Sequence, residues 1–262
     1  MKKNILIKAA AMAIVSGAIL SCNGTKEVKF DTVGTSETYA LAEGRKDSLH
    51  IDISLQMPSE GLDKDVMERI GDTILIDALG ENAEGKSAEE AIKGYAADRL
   101  KDYRETNLEF LGTEEKDSDG EDDGDWGIFT WNFEVEGRYE GEYNGWMSYS
   151  LTSYTYTGGA HGGTSISGLN FDRKTGDTLS EDDIFAYGYE ERLSDALRSH
   201  LKSSLPTEEY DMLFTTDISP NGNFILSKAG ITYIYGQYEI GPYVCGIIKV
   251  TVPWEEIQSL LK

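Results

Sequence analysis

The sequence predicts an α+β fold in two sequential sub-domains, with antiparallel sheets packed by helices. Three observations carry that prediction. Runs of period-two alternation recur in both halves of the chain, as half-buried strands require. Helical apolar patterns stand between these runs instead of at one end. A glycine-rich stretch, Gly158-Gly159-Ala160-His161-Gly162-Gly163, separates two extended segments near the middle. Strand runs interrupted by helix pairs are the pattern of α+β packing. The expected division is a leader over 1–21, a tether over 22–45, a first α+β sub-domain over 46–160 and a second over 161–262.

The leader is read from Lys2 and Lys3, the apolar run Ala9 to Leu20, and the ending Ile19-Leu20-Ser21-Cys22. This run is shorter than the about 20 residues of a comfortable membrane span. The ending resembles that of bacterial lipoprotein signals, which implies cleavage before Cys22 and lipidation of its thiol; an ordinary secretory signal beside an accidental cysteine is the alternative. Asn23 after the anchor is compatible with an outer-membrane destination, so the expected location is the cell envelope, held by lipid alone. From Asn23 to Arg45 the chain is polar, as a tether would be, with Val28, Phe30 and Val33 offering a first edge strand.

Leu49, Ile51, Ile53, Leu55 and Met57 occupy successive odd positions and predict a strand with one buried face and His50 on the other. Leu62, Val66, Ile70, Ile74 and Ala78 repeat every four residues and end at Gly80, an amphipathic helix with a glycine stop. Ser87 and Glu90 form a capping box for a second helix, whose inner side carries Ala88, Ile92, Tyr95, Ala96, Leu100 and Tyr103. The run Asp117 to Asp125 places acids as a calcium loop would, but Thr130 stands where the bidentate glutamate belongs, so a solvated hairpin loop is expected. Trp126–Tyr139 and Glu142–Tyr156 read as an antiparallel hairpin, with Met147, Tyr149 and Leu151 on the core side of the second strand.

After the glycine tip, Thr164 to Asp172 is extended and Asp172 to Asp177 is a turn. Ser180 caps a helix start at Leu179 to Phe185, with three acids at the positive end of the dipole. Tyr189, Leu193, Leu197, Leu201 and Leu205 form a helical stripe that stops at Pro206. Three closing strands are expected at Asn223–Ser227, Ile231–Tyr235 and Tyr243–Val252, then a short terminal helix carrying Trp254, Ile257 and Leu261.

The formal charge is −23, and loss of the three lysines of the leader takes it to −26. Such a field repels nucleic acid and anionic headgroups and speeds encounter with cationic partners. With Cys22 committed to the anchor, Cys245 has no partner for a disulfide and is expected as a small buried hydrophobe. Neither paired histidines nor paired cysteines have zinc spacing, and the glycine tip lacks the lysine and following helix of a phosphate loop, so no cofactor is expected. Thr164 and Ser165 follow His161, which keeps an envelope hydrolase using His161 as the alternative, although no serine sits on a strand-to-helix elbow. The leading reading is non-catalytic binding through Tyr154, Tyr156, Gly158, Gly159 and His161, whose flat amphipathic rings give contact area at low entropic cost. The same residues would serve equally as ordinary strand residues around a tight turn.

Tyr154 to Gly162, Phe171-Asp172-Arg173-Lys174-Thr175-Gly176-Asp177 with Leu179 to Phe185, and Tyr238-Glu239-Ile240-Gly241-Pro242-Tyr243 with Gly246 and Val252-Pro253 together resemble the RsiV-type extracellular domains. The same region is similar to the non-catalytic N-terminal part of the deacetylase PdaC. The resemblance implies a two-part α+β ectodomain meeting near the glycine tip and non-catalytic recognition at the envelope. Its implied partners are a basic protein such as lysozyme, or cell-wall glycan.

Overall fold

Strand β1 (Lys29–Ala40) and strand β2 (Ser48–Glu60) pair antiparallel along their whole length, and β2 buries Leu49, Ile51, Ile53 and Leu55 while Asp52 faces water. The structure, a computed structural model, describes residues 26–42, 46–111 and 129–262. The expected leader, Cys22 and the Asp117–Asp125 loop lie outside the described residues. The segment expected as a tether is corrected in part. Its residues 29–40 complete the edge of a sheet, with Val33 and Tyr39 packed on the core, and the polar alternate positions that suggested a tether form the outer face of that strand.

Two helices follow, α1 (Lys64–Leu79) and α2 (Ala88–Leu111), and the chain then enters β3 (Trp131–Tyr143) beside β2 and parallel to it. A parallel neighbour needs a crossover of a dozen or more residues, which these helices supply. One pair of the first sheet therefore departs from the expected antiparallel arrangement. Strands β4 (Trp146–Tyr156) and β5 (Gly163–Asp172) complete the sheet in the order β1-β2-β3-β4-β5, with both further pairings antiparallel. Because β5 bonds to β4, the boundary expected between 160 and 161 falls inside this sheet and not between units.

Helices α1 and α2 cover one face. Val66, Ile70 and Ile74 meet Met147, Tyr149 and Phe171, while Leu75, Ile92 and Tyr103 meet the apolar side of β2 and β3. The capping box of α2 forms as expected, the Ser87 amide donating to Glu90 Oε2 at 3.2 Å and the Glu90 amide to Ser87 Oγ at 3.4 Å.

The second unit starts with the one-turn helix α3 (Glu181–Ile184), then α4 (Glu190–Leu201) and the short α5 (Thr207–Tyr210). Strands β6 (Phe224–Ser227), β7 (Gly230–Tyr235) and β8 (Ile248–Val252) form an antiparallel sheet closed by α6 (Trp254–Ile257). Leu193, Leu197 and Leu201 are fully buried against Tyr233, Val250 and Val252. Burial of each leucine stabilises by about 1.5–3 kcal/mol. The last strand begins at Ile248 and not at Tyr243, because residues 243–245 turn as a 3₁₀ helix and Gly246 breaks the chain at φ 63°. Cys245 is buried there as expected.

The second sheet sits on the face of the first that α1 and α2 leave open. On β4 both faces are buried from Met147 to Leu151, so the serine side, opposite the expected core side, is an interface. Ser148 Oγ donates to Asn170 Oδ1 at 2.6 Å and accepts from the Leu226 amide at 2.9 Å, and Asn170 Nδ2 donates to Phe224 O at 2.8 Å. Asn223 extends the seam by accepting from the Gly168 amide at 2.8 Å and donating to Ile166 O at 2.8 Å. Gly168 is required there, since a Cβ would lie 2.0 Å from Phe224 O. Among the described residues no helix is long and apolar enough to cross a membrane.

Candidate functional site

The β4–β5 connection reverses the chain over residues 157–162, with Gly158 and Gly159 at φ 101° and 93°, values a side chain would strain. The Tyr156 hydroxyl donates to Gly159 O at 3.0 Å and closes the loop on itself. Gly162 has a different reason: the Tyr154 ring occupies the place of its Cβ, whose nearest atom would be 2.4 Å away. The tip also reaches the second unit. Tyr243 donates its hydroxyl to Gly162 O at 3.0 Å, and the Thr164 amide donates to Gln237 Oε1 at 2.8 Å.

His161 is exposed, and its ring lies on Tyr243 with centroids 3.9 Å apart and planes 25° from parallel. Its Nδ1 is 3.1 Å from Gly162 O and its Nε2 is 3.4 Å from the Tyr238 hydroxyl. Among the described residues neither nitrogen has a carboxylate or a serine or threonine hydroxyl as partner. What this arrangement offers is a flat aromatic shelf of His161, Tyr238 and Tyr243, with Tyr154 on the other side of Gly162.

Tyr238 is 56 % exposed at φ 65°, a left-handed backbone that costs a side-chain-bearing residue on the order of 1 kcal/mol. The turn that holds it is clamped by Glu239, whose Oε2 accepts from the Gly236 amide at 2.6 Å and whose Oε1 accepts from Asn221 Nδ2 at 2.8 Å. A large ring kept in water on a strained backbone is an outlier that points to use.

The structure thus gathers Tyr154, Tyr156, Gly158, Gly159 and His161 around one loop, and adds Tyr238 and Tyr243, which the sequence offers only as the ends of a motif, and Gln237, which no sequence pattern marks. The Asp172–Asp177 motif lies elsewhere: Asp172 Oδ1 accepts from the Lys174 and Thr175 amides, Arg173 pairs with Glu142 at 2.8 Å, and Asp177 pairs with Arg69. The other histidines lie apart from the tip, His50 between Ser48 and Thr38 hydroxyls and His200 at 3.0 Å from Glu256. Among the described residues no group of three or more His, Cys, Asp or Glu is placed to hold a metal ion.

Fold and site together define an α+β protein of two stacked sheets whose exposed aromatic shelf is built at their junction. Residues 43–164 match the family model described as deacetylase PdaC, and residues 182–255 match that of a protein of unknown function, DUF3298. The chain therefore carries a PdaC-like region followed by a DUF3298-like region. Its structure is similar to a DUF3298-family member from Bacteroides fragilis, with 28% identity, a TM-score of 0.78, and coverage of 91% of this chain and 95% of that one. A DUF3298-family protein from Pseudomonas aeruginosa shares the fold at 17% identity and a TM-score of 0.59, over 91% of this chain and 96% of that one. No curated protein matches.

Proposed function

We propose that this protein is a lipid-anchored envelope protein whose ectodomain recognises a basic protein of the lysozyme-like muramidase class and does no chemistry on it. The observation that carries the reading is the shelf of Tyr238, His161 and Tyr243, two exposed rings on a half-buried one, fixed from both units with a carbonyl and a phenol around the imidazole. Aromatic residues that lose little entropy on contact are those that anchor interfaces. The charge of −23 supports a cationic partner, since opposite fields raise encounter rates and set specificity. The resemblance to RsiV-type ectodomains supports the muramidase class. Cys22 is the anchor in this reading.

A pull-down with lysozyme at low and moderate salt tests it. Retention that weakens as salt rises and is lost in Tyr238→Ala is the expected result; no retention under either condition removes the partner. The anchor is checked by labelled palmitate, expected on the wild-type chain and absent from Cys22→Ala.

A further inference from the structure

The second unit covers the β4–β5 side of the outer face of the first sheet, from Ser148 and Asn170 through Gly168 to Thr164. On the β2–β3 side that face is exposed at Asp52, Glu134 and Glu136. There Asp52 on β2 lies beside Glu134 on β3, Glu134 lies opposite Tyr154 on β4, and Ser54 lies beside Glu136. These side chains share a face because each is an even-numbered residue whose odd-numbered neighbours, such as Ile53 and Val135, are buried on the helix side. Asp52, Ser54, Glu134, Val135 and Glu136 line a groove of 240 Å³.

Charge and shape argue for one occupant. Asp52, Glu134 and Glu136 are all exposed, and Arg138 is the cation beside them, bound to Glu136 at 2.6 Å. Among the described residues Glu134 holds only the neutral Asn132 amide, at 2.7 Å, and Asp52 has no ion pair. Tyr154 links this face to the loop that carries His161, because it stands opposite Glu134 and its ring occupies the place of a Cβ at Gly162. Residues two apart on a strand project side chains about 6.6 Å apart on one face. An extended segment laid along β3 meets Glu134 and Glu136 with that same spacing.

We infer that this open half of the sheet is a docking surface for an extended, lysine- or arginine-bearing segment of a partner protein, its cations entering the Asp52–Glu134–Glu136 groove beside Tyr154. The inference rests on the reading of a basic partner, and adds a second contact on the first unit to the shelf at the junction. The Arg138–Glu136 pair is exposed and so exchanges readily with an incoming cation.

The test uses the full-length protein and two probes, lysozyme and a labelled ten-residue peptide of alternating lysine and threonine, with affinity read by anisotropy across a salt series. Asp52→Asn/Glu134→Gln/Glu136→Gln is expected to weaken the peptide at least tenfold and to flatten the salt dependence. Asp72→Asn/Asp98→Asn/Glu208→Gln removes the same charge from exposed positions elsewhere and is expected to stay within twofold. Arg138→Gln is expected to tighten binding two- to fivefold by freeing Glu136. Equal losses in the two triple variants, no loss in either, no binding of the peptide by the wild type, or weaker binding by Arg138→Gln would each overturn the groove. If the peptide results hold and lysozyme does not bind, the muramidase reading fails while the groove stands. All seven positions are exposed, so the variants are expected to keep the wild-type melting temperature.

Discussion

Ser148 and Asn170 meet across β4 and β5 at 2.6 Å, and through this pair the two sheets are joined. Ser148 also receives the Leu226 amide and Asn170 donates to Phe224 O, so two side chains satisfy the backbone of a strand that belongs to the other unit. Both are almost fully buried, at 0% and 3% exposure. A buried donor left without its acceptor costs about 1–3 kcal/mol. Ser148→Ala is therefore expected to lower stability by about that amount in urea unfolding. Its amide partner at Leu226 should lose hydrogen-exchange protection ahead of the core of β2; unchanged protection would contradict the role given to the seam.

The same junction predicts a steric effect. Gly168 faces Phe224 O with no room for a methyl group, since the added Cβ would lie 2.0 Å from that oxygen. Gly168→Ala must push β5 and β6 apart, and overpacking of this kind costs about 1–3 kcal/mol. Because the contact is to backbone, no rotamer change relieves it. The expected result is a lower melting temperature together with weakened coupling between the units, seen as two transitions where the wild type shows one.

These two residues also show where the sequence stops being legible. The apolar alternation of β2 and the four-residue spacing of α1 and α4 report burial directly, because an apolar side chain has one reason to recur with a period. A serine or asparagine at alternate positions fits a wet face and a hydrogen-bonded interface equally, so Ser148 and Asn170 carried no signal of the second sheet. For a related reason the sequence shows only the start of β1, at Phe30 and Val33: its outward positions are polar, and pairing with β2 reveals its full length to Ala40. At the tip, the glycines announced the turn, whereas the approach of Tyr238 and Tyr243 depends on a loop about eighty residues further along, which no local pattern reports.

Helix α3 gives a prediction with a pH signature. Asp183 Oδ2 accepts from the Ser180 amide at 2.8 Å and from its hydroxyl at 2.6 Å, and these bonds hold the Asp183 carboxyl below the usual carboxylate range. A carboxylate whose folded pKa is depressed contributes stability that is present above its unfolded value, about 3.9, and is lost as pH falls through the folded value. Asp183→Ala is expected to cost on the order of 0.5–1 kcal/mol at neutral pH, discounted for its exposure. The difference from wild type should shrink on acidification and vanish once both forms are protonated. A gap that stays constant down to the acid transition would show that the box acts through packing instead of charge.

Tyr238 separates function from stability most sharply. Its φ of 65° is a conformation that glycine adopts freely and tyrosine adopts at a cost of about 1 kcal/mol or more. The clamp by Glu239 and Asn221 keeps that backbone in place whatever the side chain. Tyr238→Gly should therefore leave the melting temperature unchanged or raise it, because relief of strain offsets the added freedom of the unfolded chain. Removing the ring also removes the hydroxyl at 3.4 Å from His161 Nε2 and the outermost face of the shelf. A protein that is no less stable yet binds lysozyme, the proposed partner, at least tenfold more weakly is the expected outcome, read by calorimetry beside a thermal melt. If the glycine variant instead binds as the wild type does, the strained tyrosine is a feature of the loop alone and the shelf is not where recognition happens.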